Sequence, residues 1–126
     1  MKIIFFNNEK QITNELRMIH NPMSYGFNEV MWDNGGYADI SERYVIVNED
    51  ELFENISQEE FLRQYKEQAK VEIAKQLERN RVFYIANGTL SEKETMTTTD
   101  ITTIDNILSE DELTLALEEI LPKYKL

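Results

Sequence analysis

The sequence predicts an α+β fold, a small antiparallel β-meander at the N-terminus packed with two α-helices. Two observations carry that expectation. Up to Glu49 the chain consists of short β-branched and aromatic runs separated by turn residues, which is how strands read in sequence. Beyond it, one helix-opening pattern occurs twice, as Ile56-Ser57-Gln58-Glu59-Glu60-Phe61 and as Leu108-Ser109-Glu110-Asp111-Glu112-Leu113. In each copy the Ser can accept a hydrogen bond from the free N–H three residues on, the Glu at that position reaches back, and the flanking apolar pair clamps the first turn. With 126 residues and 41% hydrophobic composition the chain can bury one modest core. We therefore expect a single domain over 1–126, with a β-rich part at 1–48 and a mainly helical part at 57–126.

The run from Lys2 to Phe6 predicts the first strand, and Asn7-Asn8-Glu9-Lys10 a tight turn back. The return strand runs from Gln11 to about Ile19, with Ile12, Leu16 and Met18 on one face and Thr13, Glu15 and Arg17 on the other. Asn21-Pro22 ends it, because Pro lacks a ladder donor. Phe27 to Trp32 is the third strand. Asp33-Asn34-Gly35-Gly36 is the strongest turn signal in the chain, since Gly tolerates positive φ. Tyr37 to Glu42 forms a loop or an irregular lead-in to the fourth strand, Arg43 to Val47. The short connections favour an antiparallel meander, because parallel neighbours need long crossovers. Asn48 to Asn55 is an acidic connector.

The first helix starts after Ser57 and carries Leu62, Tyr65, Ala69, Ile73 and Leu77 at spacings of three and four, with Phe61 and Ala74 widening the stripe. That marks a helix lying on a core. Sevens counted from Leu62 reach Ala69 and Gln76, and from Tyr65 reach Glu72 and Arg79, so a coiled coil is not expected. Val82-Phe83-Tyr84-Ile85 admits two readings: a strand, or a helix finishing at Asn87-Gly88 with Gly as its left-handed cap. We adopt the strand. Ser91 to Thr103, with Thr95, Thr97, Thr98, Thr99, Thr102 and Thr103, reads as an extended edge segment or a mobile loop, and its β-branched content favours the former. Residues 82–104 are thus expected to supply an extra strand or extended segment. The last helix runs from Ser109 to Leu121 with Leu113, Ala116, Leu117 and Ile120 inward and Pro122 closing it.

Composition narrows the function classes. The chain has no Cys, which excludes a disulfide framework, a thiolate zinc site and a cysteine nucleophile. Thirteen Lys and Arg against 24 Asp and Glu give a net charge of −11, which repels a phosphate backbone and argues against direct nucleic-acid binding. Several acids sit in first helical turns, where they face the positive end of the helix dipole. No apolar run approaches the roughly 18–20 residues of a membrane span. Met1-Lys2 leads into only Ile3-Ile4-Phe5-Phe6, too short for a signal-peptide core, so neither membrane association nor signal-directed secretion is expected.

No residue pattern points to catalysis, a cofactor or a metal. His20 is the only imidazole, beside a turn, and with four glycines the chain holds neither a P-loop nor a dinucleotide fingerprint. Asp33, Asn34, Asp39 and Glu42 are oxygen donors for Ca²⁺ in principle, but the EF-hand alternation is absent and turn formation explains them better. The adjacent carboxylates Glu59 and Glu60, or Glu118 and Glu119, point about 100° apart on a helix and read as solvated surface. The feature of interest is the aromatic group Tyr25, Phe27, Trp32 and Tyr37, which either anchors a protein partner or fills the core of a small sheet.

The stretch Val30-Met31-Trp32-Asp33-Asn34-Gly35-Gly36, followed by Ile40 and Tyr44-Val45-Ile46-Val47, resembles the opening region of small proteins encoded among the tail and baseplate genes of phages and prophages of low-GC Gram-positive bacteria. The start Met1-Lys2-Ile3-Ile4-Phe5-Phe6-Asn7 is similar too, so the resemblance covers about residues 1–50. In those proteins a helical or coiled-coil segment often follows, whereas this chain lacks sustained heptads and adds Arg81 to Leu126. The resemblance implies a virion or assembly context, in particles or in the bacterial host cytoplasm, with other phage structural proteins or further copies of the chain as partners. The expected function is that of a non-enzymatic tail or baseplate accessory or assembly protein acting through protein–protein contacts. Two alternatives come from other classes: an acidic mimic of nucleic acid that inhibits a basic nucleic-acid-binding protein, and a small carboxylate enzyme or binder acting on glycans near Trp32.

Overall fold

A computed structural model describes residues 1–38 and 40–125. The fold is α+β, with the strands in the N-terminal part. In chain order the elements are β1 (Lys2–Phe6), β2 (Ile12–Leu16), β3 (Met23–Ser24), β4 (Glu29–Trp32), β5 (Gly35–Ala38), β6 (Arg43–Val47), α1 (Gln58–Arg79), α2 (Arg81–Ala86), α3 (Leu90–Asp105) and α4 (Glu110–Ile120). Single 3₁₀ turns lie at Phe53–Asn55 and Leu121–Tyr124.

The strands form two antiparallel sheets, ordered β2-β1-β6 and β3-β4-β5, instead of one meander. The uninterrupted apolar run of β1 explains why. Ile4 and Phe6, with Val45 and Val47 of β6, pack under Phe53, Ile56 and Phe61. Ile3 and Phe5, with Tyr44, face Val30 and Trp32 of the second sheet. A strand covered on both faces cannot alternate with polar residues, so β1 is central in its sheet and buried along its whole length. A separate helical core joins Tyr65, Ala69 and Ile73 of α1 to Ile104, Ile107, Leu113, Leu117, Ile120 and Tyr124.

Several expectations need correction. The return strand ends at Leu16, because Met18 takes a positive φ of 58° and turns its N–H to the Glu49 carboxylate at 3.0 Å, leaving the ladder. β3 is an additional short strand, and Tyr37 lies within β5. At the Asp33–Asn34 turn the positive φ, 62°, falls on Asn34 and not on a glycine; Gly35 is needed for another reason, since a Cβ there would lie 2.4 Å from the Trp32 indole nitrogen.

The largest departure is at 82–104, which is helical in α2 and α3. The threonines do not extend the backbone. Thr95, Thr97, Thr98, Thr99, Thr102 and Thr103 each donate a side-chain hydrogen bond to the carbonyl four residues back, at 2.8–3.3 Å. Packing of Met96, Ile104 and Ile107 on the helical core then outweighs a β propensity worth tenths of a kcal/mol per residue. Gly88, at φ 69°, follows α2 in the left-handed conformation that the helical reading of this segment required. Among the described residues there are accordingly four α-helices where two were expected.

Both Ser caps form: Ser57 and Ser109 accept the N–H of Glu60 and Glu112, each at 3.1 Å. The remaining parts of the motif diverge. Ile56 and Phe61 share a cluster, whereas Leu108 is exposed and Ile107 packs in its stead. Glu112 reaches back to the Leu108 N–H, while Glu60 binds Arg63 and Gln64. On α1, Tyr65, Ala69 and Ile73 are buried as expected, but Ala74 is exposed. A polar stripe, Gln64, Gln68 and Glu72, is buried where no sequence signal placed it. Gln64 donates to the Ile46 carbonyl at 2.7 Å and accepts the Ile46 N–H at 2.8 Å, and Gln68 donates to the Tyr44 carbonyl at 2.9 Å. These amides cover the free edge of β6 as a further strand would.

One turn further along α1, Glu72 accepts the Phe27 N–H at 3.3 Å and pairs with Lys75 at 3.0 Å, and Lys75 also donates to the Tyr25 carbonyl at 2.9 Å. This close approach requires Gly26, whose φ is 103° and whose Cβ, if present, would lie 2.2 Å from the Glu72 carboxylate. Replacing Gly26 by Ala is expected to cost at least ~2 kcal/mol, from backbone strain plus displacement of a buried carboxylate. Urea denaturation measures it; an unchanged midpoint would contradict this packing.

Candidate partner-docking surface

The second sheet places the four aromatic residues singled out in the sequence. In β4 the side chains alternate, so Val30 and Trp32 turn toward the first sheet and Met31 turns away. Tyr37, paired with Val30 across the ladder, shares the inner face and packs on Phe5 with ring centroids 5.4 Å apart, yet its location at the edge leaves it exposed. Tyr25 is exposed beside α1, its ring 5.3 Å from the Lys75 ammonium. Phe27 is half-buried on the helical core, edge-on to Tyr65 at 5.9 Å, and Trp32 is half-buried against the sheet-to-sheet core. The four therefore do not converge on one patch: Phe27 and Trp32 join different cores, and Tyr25 and Tyr37 offer exposed surface.

Two methionines extend that surface. Met23 and Met31 are cross-strand partners and both are exposed on the outer face of the second sheet. Sequence alternation in β4 marked Met31 as outward once Val30 and Trp32 are inward; Met23 carried no signal because a two-residue strand has no periodicity. The flexible thioethers form an adaptable apolar contact surface on that face, whereas Tyr37 borders the inner face at the sheet edge. The outer strands are β2 and β6 in the first sheet and β3 and β5 in the second, and the edge of β6 is occupied by Gln64 and Gln68.

The second sheet is fixed to the body at Tyr44. Its buried hydroxyl lies 2.8 Å from the Gly26 carbonyl, 3.2 Å from the Glu29 carbonyl and 2.9 Å from the Ser24 hydroxyl, all on the β3–β4 connection or its flanks. Burial pushes its pKa up to about 12, with the Glu72 carboxylate adding to the shift against the hydrogen bonds that oppose it, so the hydroxyl stays neutral.

A cleft of about 340 Å³ opens between the sheets and helices α1 and α4, with Phe27, Ile40, Tyr65, Leu117 and Leu121 among its walls. Arg43 borders it, but its charge is committed: the guanidinium stacks 3.9 Å over the Tyr65 ring and donates to Glu110 at 2.7 Å. Lys10 donates to the other Glu110 oxygen at 2.7 Å. Among the described residues no group of three or more His, Cys, Asp or Glu is placed to hold a metal ion. Asp33 accepts from Asn21 at 2.8 Å and Asn34 forms the turn; Asp39 lies outside the described residues.

Burial raises the Glu110 pKa, but the hydrogen bonds and charges of Lys10 and Arg43 outweigh it and leave the group below its ordinary 4.5. Because the folded-state pKa is the depressed one, the stability Glu110 contributes is complete above about pH 4.5 and is lost as pH falls through the folded value. Glu110→Gln is expected to lower stability by about 1–2 kcal/mol at pH 7, with the gap from the parent protein narrowing toward pH 3. Urea midpoints at the two pH values test this; a gap that does not change with pH would refute the ion-pair account. The chain matches no family model, no curated protein and no solved structure.

Proposed function

We propose that this protein is a non-enzymatic accessory or assembly component of a phage tail or baseplate, acting through protein–protein contacts on the outer surface and edge of its second sheet. The resemblance of residues 1–50 supplies the context. The observation that carries the mode of action is the grouping of exposed Met23 and Met31 across a strand pair, with exposed Tyr25 and Tyr37 on the same small sheet and its flank. The backbone of that sheet is fixed by the Tyr44 and Glu72 hydrogen bonds and loses little freedom on docking, while the flexible methionines adapt to the partner's relief.

The reading as an acidic nucleic-acid mimic has less support. Such a mimic needs many free carboxylates gathered on one face; Glu60, Glu67, Glu72, Asp100 and Glu110 are paired with Arg63, Lys70, Lys75, Lys123 and the Lys10–Arg43 pair, which leaves Asp111, Glu112, Glu118 and Glu119 of α4 as the acidic surface it would have to use. For glycan binding, Trp32 is half-buried against the sheet-to-sheet core, which leaves only part of its ring for sugar stacking.

The protein carried on an affinity tag in its native host is expected to capture tail or baseplate proteins. Met31→Glu combined with Tyr25→Ala is expected to weaken that capture roughly 10-fold or more while leaving the circular dichroism spectrum unchanged. Mass spectrometry of purified particles separates a resident component from an assembly helper. Recovery of only nucleic-acid-binding proteins, or capture indifferent to these substitutions, would sink the proposal.

A further inference from the structure

Helix α2 exposes an apolar face that none of the other described residues covers. Of its residues only Tyr84 is buried, while Val82, Phe83 and Ile85 are 80%, 51% and 57% exposed. Single exposed apolar side chains are ordinary, but three within one helical turn form a patch. Its rim is basic. Arg79 and Arg81 are both exposed, and the Arg81 guanidinium has Glu78 only at 3.8 Å, with both side chains in solvent, a pairing of little strength.

The complementary surface is on the same chain. The outer face of α4 presents Leu115, 65% exposed, with Asp111 and Glu112 one turn before it and Glu118 and Glu119 one turn after. All four carboxylates are exposed, none makes an ion pair among the described residues, and α4 contains no Lys or Arg. Leu108, 86% exposed, lies seven residues before Leu115.

We propose that copies of this chain associate head to tail, the apolar face of α2 in one copy seating on the outer face of α4 around Leu115 in the next. Arg79 and Arg81 then meet the free carboxylates of α4. Pairing of like faces is disfavoured, because α2 on α2 sets arginines against arginines and α4 on α4 sets carboxylates against carboxylates. Since the two faces differ, the contact is heterologous and leads to a ring where the rotation closes and to a chain where it does not. The surface shares no residue with the second-sheet docking surface and does not rest on the tail reading. Purified protein alone suffices to test it.

The test uses two blocked variants, Val82→Asp with Ile85→Asp, and Leu115→Lys with Glu118→Lys. Every substituted residue is exposed, so folding should persist, as circular dichroism would verify; serine replacements at 82 and 85 serve if the aspartates unfold α2. By sedimentation or light scattering up to roughly 200 µM, where contacts of this size associate, the parent protein is expected to gain mass with concentration and to lose that gain between about 50 and 500 mM salt. Each blocked variant alone should stay monomeric, its self-association weakened at least about tenfold. Mixed, they retain one intact face each and should form a dimer that grows no further. A parent protein that stays monomeric over this range, a mixture that does not pair, or a variant blocked on one face that associates as the parent does would each overturn the proposal.

Discussion

Two glutamine side chains decide how the helical part meets the sheets. The primary amide of Gln64 carries a donor and an acceptor in the arrangement of a peptide group, and it uses both on the backbone of Ile46. Gln68 repeats the donor half on Tyr44. The repeat works because four residues of helix rise ~6 Å and two residues of strand span ~7 Å, so a helix can follow a strand edge for about two turns with its amides in register. With the rotation of α1 set in this way, Phe61 in its first turn packs on the first sheet, and Tyr65, Ala69 and Ile73, further along the helix, pack where α3 and α4 close over them. Glu72, next on the same stripe, reaches the loop before β4 and ties the second sheet to the same helix.

The buried charges extend this logic. Leaving a carboxylate unpaired in the interior costs several kcal/mol, so each one that the fold buries comes with partners that fix a neighbouring element. Glu72 holds Lys75 and the Phe27 N–H. Asp100 accepts from Lys123 at 2.9 Å and from the Tyr124 hydroxyl at 2.7 Å, and the Tyr124 carbonyl accepts from Asn80 at 2.7 Å, so the last 3₁₀ turn is bound to both α3 and the α1–α2 junction. Glu110, in the first turn of α4, joins the β1–β2 turn through Lys10 and β6 through Arg43. Polar side chains therefore connect parts whose apolar clusters are separate.

This division explains what the sequence revealed. The strands of the first sheet, the long stripe on α1 and both Ser caps were legible because each rests on local chemistry: a β-branched run, a period near 3.6, a hydroxyl one residue ahead of a helix. The two-sheet arrangement was not, since it depends on β1 being covered from both sides, and a continuous apolar run does not state by what. The Gln64-Gln68-Glu72 stripe was invisible for a related reason. Buried polar residues at helical spacing look like a solvated face until their backbone partners are known. At Thr95 to Thr103 local chemistry misled outright, because a hydroxyl that hydrogen-bonds within its own helix cancels part of the cost of β-branching. The aromatic group was legible as a set of large side chains and illegible as a site, since Gly26 and the strand alternation send its members to different destinations.

What is left uncovered is informative because so much is used. Most large aromatics serve the three cores, and the buried carboxylates are occupied in holding elements together. The uncovered apolar surface includes Met23 and Met31 on the second sheet, three residues of α2, Leu115 of α4, and the single side chains Ile12, Met18, Leu52 and Leu108. A chain with a net charge of −11 is kept soluble by its own repulsion, and that repulsion also opposes contact between copies except where acidic and basic surface alternate. Arg79 and Arg81 lie at such a place, next to exposed Val82, on a surface otherwise dominated by carboxylates. The charge pattern thus selects orientation where the apolar area supplies attraction, and a short helix that contributes one side chain to its own core is free to contribute the others to a neighbour.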